Sequence, residues 1–271
     1  MENGEKKSLF GSGKKKGGKE LNHGITGAGT DYTVYEMSTF QQLLALLVGF
    51  SIGFIASQVY FGSGMLSLIV ALLVGSKSIS IYQNMLQNKR LEELRLQFRD
   101  LLESLSNSYT VGMTSSRAFH AAYEDMKAEH GEKAYITQEM ALICLAHDNQ
   151  GIELKDLLND FAERSGIDDI KSFAGVFEIS SNLGGNVAKV IRETRDIISD
   201  KIEVELEIQT MVTGQKNQLN ILAIMPFVVV MVSKTFTAGS DSSAITIIKT
   251  IALFVFIFAY WLGTRIVDIK V

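Results

Sequence analysis

From Phe40 to Ser76 no residue is charged. A water-exposed helix needs a polar face, and this stretch has none to offer over ten turns. Its first half, Gln42 to Tyr60, is about the 20 residues needed to cross ~30 Å of hydrocarbon. Phe61-Gly62-Ser63-Gly64 reads as a tight turn, and Met65 to Tyr82 as a second apolar run. Lys77 interrupts that run and can snorkel to the interface. Residues 41–82 are therefore predicted to form a transmembrane hairpin.

The same signal returns near the other end. Leu219–Phe236 is apolar, residues 237–243 form a short polar loop, and Ala244–Leu262 is apolar again with Lys249 near its start. Tyr260 and Trp261 stand where an interfacial aromatic anchor belongs. Residues 218–264 are predicted to be a second hairpin, with 265–271 following it. Between the hairpins, residues 83–217 carry 15 Lys/Arg against 23 Asp/Glu, a balance of −8, on helical periodicity. Residues 1–40 are Gly- and Lys-rich without hydrophobic periodicity. They are expected to be a disordered tail that touches anionic lipid. A tail of that length is too long for the n-region of a secretory signal.

Lys/Arg placement sets the orientation. The tail has six Lys, while the turn at 61–64 and the loop at 237–243 have no Lys or Arg. The tail, the central domain and the C-terminus are expected on the cytoplasmic side of a cell (inner) membrane. One Cys in 271 residues excludes an intramolecular disulfide framework, and a net charge of −4 gives no reason to expect nucleic acid as a partner.

Within 83–217 apolar residues recur at helical spacing. Leu91, Leu94, Phe98, Leu101 and Leu105 stripe a helix over 86–110, stopped at Gly112, with Thr114 or Ser115 able to cap the next. Ala118, Phe119, Ala122, Tyr123 and Met126 stripe a second, stopped at Gly131. Met140, Ile143 and Cys144 face inward on a third over 136–147, before a turn at Gly151. Leu154, Leu157, Leu158 and Phe161 mark a fourth. Phe173, Val176 and Phe177 mark a fifth that ends at Gly184-Gly185. Asn186 can cap a sixth carrying Val187, Val190, Ile191, Thr194, Ile197 and Ile198. Ile202–Ile208 alternates with the period of a strand, but no partner strand is in reach, so a long helix running into the third span is expected. The fold class predicted is all-α: an integral membrane protein in which two transmembrane helical hairpins flank a cytoplasmic six-helix bundle.

Catalytic signatures are weak. Gly11-Ser12-Gly13-Lys14 departs from a phosphate-binding loop at both ends, with Ser8 and Lys15 in the wrong places. The four His (His23, His120, His130, His147) show no metal spacing, and Cys144 lies on an apolar stripe. No enzyme activity and no cofactor or metal is expected. Glu203, Glu205 and Glu207 are either a solvated face or a surface for a basic partner. Pro226, the one proline, lies inside a span, where it is either a simple kink or a hinge.

The stretch LGGNVAKVIRETRDIISDKIEVELEIQTMVTGQKNQLNILAIMPF (183–227) resembles the signature segment of the type II secretion system F family, the inner-membrane platform proteins of type II secretion and type IV pilus machines. Phe98–Gly112 (FRDLLESLSNSYTVG), Ser115–Ala122 (SSRAFHAA) and Gly151–Ala162 (GIELKDLLNDFA) are similar to upstream pieces of the family. One such domain between two hairpins looks like the tight-adherence subtype. The Lys-rich tail is no part of the pattern.

The resemblance implies a non-catalytic machine part whose cytoplasmic bundle binds a hexameric secretion ATPase and passes its motion on to a pilin or pseudopilin. A second platform protein or a homo-oligomer is the further implied partner. Gly112, Gly151, Gly184, Gly185, Asn186 and Pro226 are its motif and hinge candidates, and Glu203, Glu205 and Glu207 its ATPase-facing candidates. The alternative is a membrane-anchored signalling or scaffold protein, for which His120 is the candidate phospho-acceptor.

Overall fold

The computed structural model of the chain describes residues 23–61, 63–182, 187–236, 251–252, 255–256 and 258–265. Of these, 86% are helical and none lies in a strand. In chain order the described helices are α1 (Thr39–Phe61), α2 (Gly64–Thr110), α3 (Ser115–His130), α4 (Tyr135–Gln150), α5 (Leu154–Ser165), α6 (Asp168–Asn182) and α7 (Val187–Phe236). Helices over Thr39–Tyr60, Gly64–Thr110 and Val187–Val232 are long and apolar enough to cross a membrane. Most of the expected fourth span, 244–262, lies outside the described residues, as do Gly184, Gly185 and Asn186.

Two helices are much longer than a bilayer is thick. At 1.5 Å per residue, the 47 residues of α2 and the 50 of α7 run about 70 and about 75 Å, more than twice the ~30 Å of hydrocarbon. The apolar run expected over Met65–Tyr82 and the helix expected over 86–110 are one continuous helix. No Gly or Pro stands between Gly75 and Gly112, so nothing stops propagation. The alternating segment Ile202–Ile208 is helical, inside α7. Its alternation leaves Ile202 in the core and Val204 and Leu206 outside.

α1 folds back along the apolar half of α2 on small residues. A Cβ on Gly49 would overlap Ser78 Cβ, and one on Gly53 would lie 3.1 Å from Ala71 Cα. Ser78 Oγ donates to Ala45 O at 3.0 Å. Without a hydrophobic drive between helices in lipid, such close backbone approach is what holds a pair together.

The polar half of the chain has its own core. Phe98 of α2 packs on Phe161 of α5 and Phe173 of α6, with ring centroids 6.5 and 5.6 Å apart. Phe177 continues the chain of rings to Phe119 of α3 at 5.9 Å. Met140 from α4 and Ile191, Ile198 and Ile202 from α7 complete it. Each aromatic pair adds about 0.5–1.5 kcal/mol to plain burial. Val176 and Ile197, expected inward, are 44% and 67% exposed, because each sits at the edge of its stripe. Gly112 and Gly151 adopt φ of +79° and +67°, with open space where a Cβ would stand. Their conformation, not crowding, is what favours glycine after α2 and α4. Thr114 occupies the position before α3 but its side chain makes no capping hydrogen bond.

The largest departure concerns the tail. Residues 23–38, expected to be disordered, are an irregular strap laid along the bundle, with Asp31, Tyr32 and Met37 buried. Tyr32 belongs to the core, in edge-on contact with Tyr135 at 5.9 Å.

Candidate functional site

Where α2 and α7 leave the bundle, four charged residues stitch three helices together. Arg95 stands 13 residues past Tyr82, or about 20 Å along α2 from the end of its apolar run. Its Nε donates to Asp169 Oδ2 at 2.6 Å, at the start of α6. Its two terminal nitrogens reach the carboxylate of Glu205 on α7, at 2.5 and 3.2 Å. Lys201, one turn before Glu205, donates to the other Asp169 oxygen at 2.9 Å. Burial alone would raise the pKa of Asp169, but the hydrogen bonds from Lys201 and Arg95 outweigh it and hold the carboxyl below its usual range. Burial likewise disfavours the charge on Arg95, and its two carboxylate partners overcome that and hold it above its ordinary value. The forked guanidinium gives this junction a fixed geometry that a lysine could not.

Glu205, which the sequence groups with Glu203 and Glu207, is half-buried and engaged with Arg95. Glu203 and Glu207 are exposed. The charge count could not tell them apart. The helical spacing could have, since Glu205 follows Ile198 by seven residues, on the face turned to the core.

A second charged cluster is fully buried. Arg164 of α5 and Glu139 of α4 are 2% and 1% exposed. Arg164 donates to both Glu139 oxygens, at 2.9 and 2.7 Å, and through Nε to Asp160 at 2.8 Å. The strap closes over this pair. Tyr32 OH donates to Glu139 Oε1 at 2.9 Å, Tyr32 N–H to Arg164 O at 2.9 Å, and Ile25 N–H to Asp160 Oδ1 at 2.6 Å. Arg164 also donates to Thr30 O at 3.1 Å. Arg90 of α2 lies over the Tyr32 ring at 4.5 Å. Burial and the neighbouring Glu139 push the Tyr32 phenol far above its ordinary pKa, so it keeps its proton and donates it to Glu139. Sequence reasoning missed this cluster. Its two local traces were the Asp160–Arg164 spacing of four and the apolar residues, Tyr32 among them, at the end of a Gly- and Lys-rich tail.

The remaining titratable groups are spread out. His120 Nε2 lies 2.9 Å from Asp148, and His130 Nε2 lies 3.2 Å from Asp100. With Glu129, His130 and Asp100 bring three potential ligand atoms within 4.8 Å of one another, a donor set of the kind that suits a divalent cation. Glu129 is exposed. His147 Nδ1 donates to Ile152 O at 2.8 Å across the Gly151 turn, which fits its place at the negative end of α4. Cys144 is buried, and burial first and Asp148 second push its thiol up to about 11, so it is protonated at neutral pH. Pro226 lies inside α7 and, with Tyr60, Leu222, Phe227 and Tyr260, lines an apolar cavity of about 330 Å³.

Compared with known proteins, the chain matches no family model, no curated protein and no solved structure.

Proposed function

We propose that this chain is a non-catalytic platform of a type II secretion or type IV pilus machine, of the tight-adherence kind. Two transmembrane hairpins flank a cytoplasmic six-helix bundle, with both termini on the cytoplasmic side of the inner membrane. The bundle receives a hexameric secretion ATPase, and its motion is passed to a pilin or pseudopilin beside the spans. A second platform protein or a second copy completes the assembly. The observation that carries this is mechanical. α2 and α7 each run unbroken from the bundle core into an apolar segment, and Arg95, Asp169, Lys201 and Glu205 clamp them together between the two. A push on the bundle therefore reaches the membrane through two clamped rods rather than through a loop. Exposed Glu203 and Glu207 flank Glu205 on α7 and offer negative charge to a basic surface.

Crosslinking in intact cells followed by purification and mass spectrometry tests the proposal. Capture of a hexameric ATPase together with a pilin or another platform protein is the expected result. Capture of a kinase or receptor through the bundle would instead favour a membrane-anchored signalling scaffold.

A further inference from the structure

Residues 24–32 hold α4 and α5 to the chain segment that opens α1. We propose that they are a releasable latch, which docks on and lifts off the Arg164–Glu139–Asp160 seat while the bundle beneath stays folded.

Connectivity makes the strap a tether. α1 begins at Thr39, directly after the strap, and packs on α2 and α7. The strap carries the same chain on to α5, where Ile25 N–H meets Asp160. Its half nearest α1 is pinned to α2: Gln83 donates to Tyr35 O at 2.9 Å and Gln87 to Thr33 O at 2.6 Å. Release is therefore confined to the part before Thr33. A latched strap adds a direct tie from the start of α1 to α5, beside the one that runs through α2, and an open strap leaves only the latter.

The seat is built to survive release. The fork of Arg164 on Glu139 and its bond to Asp160 join α4 and α5 without any strap atom. When the strap leaves, the charges remain paired and water takes over the freed positions on Asp160 and Arg164. The charged part of the seat is rehydrated on opening, and the cost of release lies in the Tyr32 ring, which leaves its apolar contacts beside Tyr135. The strap itself touches the seat chiefly through backbone, with Gly24, Gly27, Ala28 and Gly29 in the stretch and the Ile25 side chain 59% exposed. Tyr32 is the single large anchor.

Hydrogen exchange on the full chain in lipid nanodiscs tests this. The amides of Ile25 and Tyr32 are both hydrogen-bonded to α5, and they should exchange by local opening, at least about 100-fold faster than the interior amides of α5. Exchange of those two amides at the α5 rate would overturn the latch, since strap and bundle would then open only together. Gly29→Val gives a second readout. A Cβ there would lie 2.5 Å from Arg164 Cζ, so strap and guanidinium cannot both keep their places, and the variant is expected to lift the strap. Protection at Ile25 and Tyr32 should fall to that of an open chain while the interior amides of α5 stay strongly protected, lowered only by the docking free energy that the strap no longer adds. Collapse of α5 to open-chain exchange as well would make the strap a structural part of the bundle. Tyr32→Phe, which removes only the bond to Glu139, should speed exchange at Ile25 and Tyr32 several-fold, with the interior amides of α5 still far slower than those two.

Discussion

Arg95 on α2 and Glu205 on α7 meet through both terminal nitrogens of the guanidinium, at 2.5 and 3.2 Å, 110 residues apart in the chain. The third arm of the same guanidinium holds Asp169. One side chain thus sets the distance between the two longest helices and the start of α6.

Arg95→Ala should destabilise the bundle by about 1–3 kcal/mol. That is below the loss expected for a fully buried pair, because Arg95 and Glu205 keep some contact with water. In a double-mutant cycle with Glu205→Ala the two losses should fall short of additivity by about 1 kcal/mol. Denaturant unfolding of the purified protein, followed on a bundle probe, gives both numbers.

Acid should remove the stabilisation from Asp169 only at low pH. Its folded pKa lies below the unfolded value, so its contribution is present above the unfolded value of about 3.9 and is lost as pH falls through the folded pKa. Stability measured from pH 6 down to pH 2 should decline more steeply below about pH 4 in the natural chain than in Asp169→Asn, which has no proton to take up there.

Removing one member of the buried pair should cost more than removing either partner at the clamp. Glu139→Ala leaves Arg164 with Asp160 alone inside the protein and is expected to cost about 3–5 kcal/mol, whereas Tyr32→Phe removes one charge-assisted bond and should cost about 1–2 kcal/mol. Thermal unfolding of the two variants side by side orders them, and equal losses would mean that the strap, not the α4–α5 pair, carries the stability.

Close helix approach predicts a steric result in the apolar half. Gly49→Val must push α1 off Ser78, so cysteines placed on facing turns of α1 and α2 should lose most of their crosslinking. Gly27→Ala, with nothing near its Cβ, is the matched control: strained only by its own φ of +68°, it should leave that crosslink intact.

Much of the helix layout was legible because the core stripes recur at clean spacing and glycines punctuate them. Leu94, Phe98, Leu101 and Leu105 are all buried on α2, and Gly151 follows α4 in the left-handed conformation. What failed was information that periodicity does not hold. The junction from span to bundle in α2 showed a change of composition, but a composition shift is not a helix break. The strap carries no stripe at all. It docks through backbone amides whose partners, such as Asp160 for Ile25, lie 135 residues away. The choice of Arg95 as the partner of Glu205 depends on where α2 lies beside α7, which no single segment encodes.

The central claim is that α7 is a rod between the bundle and the membrane. Four glycines inserted after Thr213 break that rod beyond the clamp and before the apolar run. In cells lacking their own copy, the expected result is a protein that still inserts in the membrane and still crosslinks to the ATPase, with filament assembly down at least about tenfold. Full assembly from that variant would contradict the claim, because a flexible joint cannot transmit the push.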